Sequence, residues 1–554
     1  MAVRRSRLSV ADCLLFWGIL QSLALGACGG SEHSSSCDPK AADSCSSGLV
    51  CTPQADGAGK CQLAPGAGCD PAQSDPGCQD GSSCQSRREG DASSPEHLCL
   101  TGKAGSCEAH ASFCEAGLTC AELEDGTHQC HSPLLVHGSV RDAADQSAIA
   151  GAHVIALDAE SVAVTDVAVS GADGSYMLEL PVVRDADGAP LATSYTLRAA
   201  AQSYQSFPSG LRTAIPFSSD DATPQSEGYV LESAVTELTL IGLRDDGRAR
   251  HIVSGQLHDA AGSEDPQTLA KLSGVLMVAE GSETWTGITD KQGRYTIFNL
   301  PEGELALDGY AAGVDVVGKS LRVDTADRSN VDLDAKLGSL SRVSGSVQLV
   351  NPGDGDATSV ILVVESTFDA AVARGETPRG LRAPGSGEPS VTGSFSIEDV
   401  PDGKYVVLAA FENDALVRDP DTNISGTDVL HIDVHGGNVD MPESFKVTGA
   451  LAIIGPGAAG AEAVSEAPML RWEDDSSEDW YDVHVYDAFG SEVWSALKLP
   501  GQSGGASVSV RYAGPMDLGM YYQFRVTSWR SPGGKSAAPI SATEDLRGVF
   551  YIQR

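Results

Sequence analysis

Hydrophobic and polar residues alternate along most of the chain after residue 130. Three segments of this kind open alike, with VHGSV from Val136, VSGQL from Val253 and VSGSV from Val343. Each is followed by a second shared segment: GADGSYMLELP from Gly171, DKQGRYTIFNLPEG from Asp290 and TGSFSIEDVPDG from Thr392. Alternate residues of a β-strand point to opposite faces of its sheet, so the pattern predicts a repeated unit of half-buried strands.

The second segment shows how each unit is expected to fold. A glycine supplies a turn, an aromatic residue two positions later starts a strand, and the next residue on the same face points into a core. These positions are Gly174, Tyr176 and Leu178, then Gly293, Tyr295 and Ile297, then Gly393, Phe395 and Ile397. A Leu-Pro or Val-Pro pair ends the strand, because proline has no amide hydrogen to donate. Each unit is predicted to be a meander of about seven short strands, typical of a β-sandwich.

These segments resemble the carboxypeptidase regulatory-like domain, a transthyretin-like β-sandwich related to the carbohydrate-binding-like fold. The resemblance covers 134–245 and 250–340 and is looser over 341–445. The first copy departs by an insertion, VVRDADGAPLATS, and the third by a Gly/Pro-rich insertion, ARGETPRGLRAPGSGEPS. The resemblance implies a spacer or folding aid attached to another function, sometimes a sugar-binding domain, and it carries no catalytic motif.

The C-terminal segment resembles a fibronectin type III domain over roughly 465–554. Trp472 lies on one predicted strand, and MDLGMYYQFRV places Tyr522 where such domains have a corner tyrosine. We expect both aromatic residues to be core, with VFYIQR as the last strand.

The expected fold class is therefore all-β, with tandem β-sandwiches after a disulfide-rich N-terminal region. We predict seven segments: signal peptide 1–27, tether 28–36, cysteine-rich region 37–132, sandwiches 133–247, 248–340 and a divergent 341–446, and a fibronectin III-like sandwich 447–554.

Twelve of the 14 cysteines lie between residues 37 and 130, and none lies beyond. They form three sets of four: Cys37, Cys45, Cys51 and Cys61; Cys69, Cys78, Cys84 and Cys99; Cys107, Cys114, Cys120 and Cys130. The surrounding sequence is poor in apolar residues, so cross-links are expected to hold the fold. Even numbers at repeated spacings predict disulfides, with three pairings possible in each set. Zinc is the alternative, but no two cysteines have zinc-knuckle spacing, and we predict no metal.

The N-terminus has the layout of a secretory signal, with Arg4, Arg5 and Arg7 before an interrupted apolar run that is too short for a comfortable membrane span. Leu25-Gly26-Ala27-Cys28 resembles the bacterial lipobox. That resemblance implies cleavage before a diacylated Cys28, hence a lipid anchor. The alternative is an ordinary signal peptide cut nearby, with Cys28 a spare thiol.

The formal net charge of −39 becomes −41 without residues 1–27, which hold three arginines and one aspartate. Such a chain repels nucleic acid and anionic headgroups, so neither is an expected partner. We expect a monomer in the bacterial envelope, anchored by lipid to the outer membrane and facing the periplasm or the surface.

Three catalytic or ligand motifs are present only in form. Gly501–Gly505 matches GxSxG, and Gly533–Ser536 ends like a phosphate loop, but neither has the strand and helix it needs. Asp419–Gly426 alternates oxygen ligands like a calcium loop, yet Ile424 replaces the turn glycine and no glutamate closes the set. We therefore predict no enzyme activity and no cofactor.

The leading hypothesis is a non-catalytic, lipid-anchored envelope protein that acts as a spacer, an adhesion module or an interaction scaffold. A partner would be a glycan or another envelope protein. The alternatives are a carbohydrate-binding receptor, for which Trp285, Tyr204 and Phe207 are the candidate aromatic residues, and an accessory subunit of a secreted hydrolase.

Overall fold

A computed structural model describes most of the chain from residue 36 onward. The described residues are 36–40, 45, 49–54, 58–73, 77–86, 97–107, 114–226, 228–263, 265–350, 357–370, 372–409, 416–417, 429–442, 444–475, 478–501, 507–531 and 536–553. The chain divides into two compact units, Met1–Ala116 and Gly117–Arg554. Each unit is described separately.

The described part of the first unit consists of short hairpins held by disulfides. Its strands are β1 (Ser36–Cys37), β2 (Leu49–Pro53), β3 (Gly59–Leu63), β4 (Ser82–Ser86) and β5 (His97–Thr101). The order β1-β3-β2 forms one sheet, and β4 pairs with β5. Among the buried hydrophobic residues described here, only Leu98 and Leu100 are not cysteines.

The second unit begins with a hairpin and continues into the first sandwich. The hairpin is β6 (Thr119–Glu122) and β7 (His128–His131). The sandwich strands are β8 (Leu134–Asp142), β9 (His153–Asp158), β10 (Ala168–Val169), β11 (Ser175–Leu180), β12 (Ser194–Ala200), β13 (Phe217–Ser218), β14 (Thr223–Gln225), β15 (Gly228–Leu231) and β16 (Glu237–Leu240). One sheet has the order β10-β9-β12-β13, and the other has β11-β8-β15-β14 with β16 also on β8. A 3₁₀ turn covers Ser219–Asp221.

The second sandwich has one continuous sheet, because a short strand joins its two faces. Its strands are β17 (His251–Asp259), β18 (Leu276–Glu280), β19 (Thr284–Ile288), β20 (Arg294–Leu300), β21 (Gly303–Ala311), β22 (Val314–Val316), β23 (Lys319–Val323) and β24 (Leu333–Leu337). The order is β19-β18-β21-β22-β24-β17-β20, with β23 on β21. The α-helix α1 (Pro266–Lys271) begins where the Asp265 carboxylate accepts hydrogen bonds from two backbone amides.

The third and C-terminal sandwiches each have two sheets. The third contains β25 (Ser341–Val350), β26 (Val360–Val364), β27 (Arg382–Ala383), β28 (Ser394–Val400), β29 (Gly403–Ala409), β30 (Leu416–Val417), β31 (Leu430–Val434), β32 (Val439–Asp440) and β33 (Phe445–Gly449), with a 3₁₀ turn at Glu365–Thr367. The last contains β34 (Ile453–Gly455), β35 (Glu462–Val464), β36 (Met469–Glu473), β37 (Trp480–Asp487), β38 (Glu492–Pro500), β39 (Ser507–Arg511), β40 (Tyr521–Arg530), β41 (Ala538–Ala542) and β42 (Val549–Ile552). Their sheet orders are β28-β25-β33-β30 and β27-β26-β29-β31, then β34-β36-β39 and β35-β42-β40-β37-β38.

The predicted all-β class is confirmed, but the predicted meander is wrong in one respect. In each of the first three sandwiches the first strand pairs in parallel with strands from the end of the same sandwich: β8 with β15 and β16, β17 with β24, and β25 with β32 and β33. Parallel pairing needs a long crossover connection, which the local alternation pattern does not reveal.

The repeated glycine of the opening segment leaves room for a backbone carbonyl and for the aromatic ring of the second segment; a Cβ on Gly138 or Gly255 would clash with the carbonyl oxygen of Thr236 or Val331. The hydroxyl of Tyr176 donates to the carbonyl of Thr236 at 2.7 Å, and a Cβ on Gly138 would lie 2.6 Å from that hydroxyl. Tyr295 donates likewise to the carbonyl of Val331 beside Gly255. In the third copy Phe395 has no hydroxyl, and both its ring and the methyl of Met441 approach Gly345.

Candidate functional site

Disulfide bonds join the cysteines of the first two sets in one pattern. The bonds are Cys37–Cys51, Cys45–Cys61, Cys69–Cys84 and Cys78–Cys99, so the first cysteine pairs with the third and the second with the fourth. Cys107, Cys114, Cys120 and Cys130 are also disulfide-bonded. The third and fourth cysteines of every set face each other across a hairpin. In the first two sets these facing cysteines do not bond each other; the third bonds the first, and the fourth bonds the second. The sequence left this pairing open.

Cys28 and most of the three rejected motifs lie outside the described residues. These motif positions are 419–426, 502–505 and 533–535. Among the described residues, no helix is long and apolar enough to cross a membrane.

Arginines connect the sandwiches of this acidic chain. Arg198 of the first sandwich donates to Glu376 of the third at 2.8 Å, and the two side chains are 15% and 22% exposed. Arg374 donates to the carbonyl of Gly210 at 2.8 Å, and Arg379 to the carbonyl of Lys271 in the second sandwich at 2.8 Å. Because each contact joins two sandwiches, the arginines fix how the sandwiches pack.

The C-terminal sandwich is held through the turn that follows β37. Arg244 forms an ion pair with the buried Asp487, and its guanidinium lies 4.9 Å from the centre of the Phe489 ring. Gln205 also donates to the carbonyl of Ala488 at 2.8 Å. The first sandwich therefore contacts both the backbone and the side chains of this turn.

The insertion of the third copy carries three of these contacts between sandwiches, whereas the insertion of the first copy holds the preceding hairpin. Arg184, in the first insertion, is 2% exposed, and its guanidinium donates to the carbonyls of Gly188 and Ser132 at 2.7 Å. Its backbone also pairs with Glu122 and Glu124, which ties the β6–β7 hairpin to the first sandwich. Arg374, Glu376 and Arg379 all belong to the second insertion. Sequence reasoning missed this role, although arginines clustered in the insertions of an acidic chain were an available signal.

The first and second sandwiches share a contact built on one buried amide. Asn299 accepts from the backbone amide of Ser203 at 2.6 Å and donates to the carbonyls of Ala201 and Tyr204. Nearby, the His153 ring meets Phe298 edge to face, with centroids 4.9 Å apart. Burial lowers the pKa of His153.

All four sandwiches contribute to one cleft of about 660 Å³. Its lining includes Tyr204, Trp285, Thr367, Arg374 and Phe489. Clefts that hold small molecules commonly measure about 300–1,000 Å³. The cleft is therefore large enough for a ligand, and its walls come from residues far apart in the sequence.

The three candidate aromatic residues are half-buried and do not share one surface. Trp285 packs against the core of the second sandwich, with Arg250 5.5 Å from its ring centre, and its indole nitrogen makes no hydrogen bond. Tyr204 donates to Asp142 at 3.1 Å, and burial followed by that hydrogen bond raises its pKa to about 12. Phe207 lines a different cleft. The structure thus brings Tyr204 and Trp285 together but not Phe207.

This second cleft, of about 970 Å³, lies between the first and C-terminal sandwiches. A stack of aromatic rings, with one guanidinium inserted between two of them, forms part of its wall. The Arg212 guanidinium lies 4.8 Å from the Phe207 ring centre on one side and 5.0 Å from that of Tyr521 on the other. Tyr521 stacks on Tyr551 at 4.8 Å, with the ring planes 15° apart.

Comparison with known proteins assigns no family to the chain. No protein-family model matches the chain, and no curated protein matches it significantly. Similar solved structures include the TIE protein of Bacillus anthracis, with 11% identity and a TM-score of 0.14 over 73% of this chain and 68% of that one. A streptococcal ancillary pilin has 12% identity and a TM-score of 0.16, over 57% and 98% of the two chains. The major pilin subunit of Bacillus cereus has 10% identity and a TM-score of 0.15, over 57% and 99%. Such low TM-scores leave the fold to be argued from the strands themselves.

Proposed function

We propose that the chain is a non-catalytic, lipid-anchored envelope protein whose sandwiches form a rigid interaction scaffold. The observation that carries the proposal is the set of arginine contacts joining the sandwiches within Gly117–Arg554. A string of independent sandwiches would not need guanidinium contacts between its members, of which those of Arg198 and Arg374 are largely shielded from water. A fixed arrangement would present loops from several sandwiches as one surface, which suits adhesion or assembly with another envelope protein.

Export supports the same proposal. Disulfides persist in oxidising compartments outside the cytosol, and the first unit has four described bonds. The lipid anchor would then rest on Cys28, at the end of the predicted signal peptide.

Membrane fractionation of the full chain in a bacterial host tests the anchor. Cys28→Ser should move the protein from the membrane fraction to the soluble exported fraction, whereas Cys13→Ser, in the same leader, should leave it membrane-bound. Mass spectrometry of the wild-type N-terminus should find an acylated cysteine. An unmodified thiol on a protein that still reaches the envelope would refute the lipid anchor.

Cross-linking of whole cells tests the scaffold. The full chain should capture one or more envelope proteins, and the double variant Arg244→Met with Arg374→Met should lose that capture while each sandwich stays folded. The control Arg322→Met alters an exposed arginine whose ion pairs stay within the second sandwich. Equal capture by both variants would contradict a role for the fixed arrangement.

A carbohydrate receptor is the second candidate, because Tyr204 and Trp285 line the same cleft. Aromatic rings beside polar groups suit a sugar, whose ring has an apolar face and a hydroxyl edge. On a glycan array, Trp285→Ala should abolish any binding seen with wild type. Trp529→Ala removes a half-buried tryptophan outside the cleft and should not. No bound glycan, or equal losses in both variants, would eliminate this candidate.

A further inference from the structure

The wall of the second cleft contains a buried positive charge without a counter-charge. Arg212 is 6% exposed, and no ion pair among the described residues includes it. One terminal nitrogen of its guanidinium donates to Thr239, but the other makes no hydrogen bond. Burial lowers the pKa of Arg212, and the charge of the neighbouring Tyr521 together with its hydrogen bond to the guanidinium opposes that shift. A buried guanidinium with a free donor is costly unless an anion or an acceptor meets it.

The rest of the cleft combines polar and apolar groups in about equal share, and its polar lining includes Asp145 and Glu237. Ile215 is 66% exposed and Leu518 is 36% exposed, which makes them two of the few large hydrophobic residues exposed in the described chain. Both line this cleft, together with Leu211, Val235 and Tyr551. Exposed apolar groups beside one buried cation fit a ligand that has both an apolar part and a negative charge.

We propose that the cleft between the first and C-terminal sandwiches binds a long-chain carboxylate, the chemistry of a free fatty acid. The carboxylate would accept a hydrogen bond from the free edge of Arg212 and supply the missing negative charge. The hydrocarbon chain would cover Ile215 and Leu518 and so remove their surface from water. The unpaired nitrogen is shielded from water in the unliganded protein, so entry of the carboxylate requires a side chain at the cleft wall to change rotamer.

The cleft favours this ligand over an acidic sugar. A uronic acid also carries a carboxylate, but its hydroxyl edge would face aliphatic side chains such as Ile215 and Leu518, where its hydroxyls would lose hydrogen bonds to water. The net charge of −39 and the Asp145 and Glu237 carboxylates in the cleft lining repel both anions alike, so the apolar contacts decide between them.

Calorimetry on the full chain carrying Cys28→Ser, which removes any acyl group of its own, tests the proposal. The titrants are oleate, below the concentration at which it forms micelles, methyl oleate, and a galacturonate trisaccharide. Oleate should bind, and methyl oleate should bind about tenfold or more weakly because it carries no charge. The trisaccharide should not bind. Equal binding of oleate and its ester, binding of the trisaccharide alone, or no binding at all would overturn the proposal.

Three variants locate the site. Ile215→Ser should weaken oleate binding about five- to tenfold, since it removes exposed apolar surface without disturbing a core. Val169→Ser changes a residue of similar exposure outside the cleft and should have no effect. Arg212→Met should abolish the preference for oleate over methyl oleate. If that variant fails to fold, the Ile215 and Val169 pair still decides the question, and equal binding by these two variants counts against the site.

Discussion

The two compact units achieve their folds by different means. In the first unit, most buried hydrophobic residues that the structure describes are cysteines, and disulfides within each set of four stabilise its short hairpins. In the second unit, each sandwich buries a large apolar cluster, and no cysteine lies beyond Cys130. A short segment with little apolar surface cannot stabilise itself by burial alone, so it depends on restricting the unfolded chain. A sandwich of about 100 residues can rely on its core.

Reduction of the disulfides should give the largest difference in stability between the two units. Dithiothreitol at neutral pH should make residues 36–107 accessible to protease, because each lost disulfide removes about 2–4 kcal/mol. The sandwiches should stay protected, since residues 134–553 contain no cysteine. Limited proteolysis followed by mass spectrometry measures both regions, with the oxidised protein as control. Loss of the sandwiches at the same reductant concentration would mean that the contrast is wrong.

A substitution in a sandwich core should destabilise that sandwich and leave the first unit unchanged. Leu362 is fully buried on β26, and Leu362→Ala should lower the free energy of unfolding of the third sandwich by about 2–5 kcal/mol through the cavity it leaves. Residues 36–107 should keep their protection. Leu497→Ala, at a residue that is 57% exposed, is the matched control. Denaturant titration gives the stability change, and equal effects of the two variants would contradict the assignment of the core.

The copies of the repeat offer a finer comparison. Tyr176→Phe and Tyr295→Phe should each cost about 1–2 kcal/mol, because the carbonyls of Thr236 and Val331 lose a buried donor. In the third copy the residue is already Phe395, and Phe395→Tyr should bring no gain because Met441 crowds the same glycine. Thermal unfolding measures all three. A stabilising Phe395→Tyr would show that the third copy retains an acceptor there.

The smallest expected effect concerns pH at the contact between the first two sandwiches. Burial lowers the pKa of His153, so the unfolded chain takes up the proton more readily. Above about pH 6.5, the ordinary pKa of histidine, the His153 ring is neutral in both states and costs no stability. As the pH falls from there towards the lowered pKa of the folded state, only the unfolded chain is protonated, and the free energy of unfolding declines. Arg198 and Phe298 line the same small cavity, and Glu376 pairs with that arginine. His153→Phe should remove this part of the pH dependence in unfolding measured at pH 7.5 and 5.5. If the free energy of unfolding changes with pH as much in the variant as in the wild type, the pH dependence comes from other groups.

Much of the strand arrangement could be predicted from the sequence because the signals are local. Tyr176, Leu178 and Leu180 are all buried on one face of β11, as their alternation predicts, and Gly174 has the positive φ of a tight turn. Trp472 and Tyr522 are core residues, as expected. The candidate site was only partly predictable, because Tyr204 and Trp285 share a cleft through packing between two sandwiches.

The sequence by itself determined the all-β class, the threefold signature and the cysteine-rich region, since each depends on residues a few positions apart. Tertiary structure alone decided the disulfide pairing, the parallel return of each sandwich to its first strand, and the arginine contacts between sandwiches. The reason is separation along the chain. Arg198 meets Glu376 178 residues away, and Gln205 meets Ala488 283 residues away. No local pattern of hydrophobic and polar residues specifies partners so distant, because many packings satisfy the same alternation.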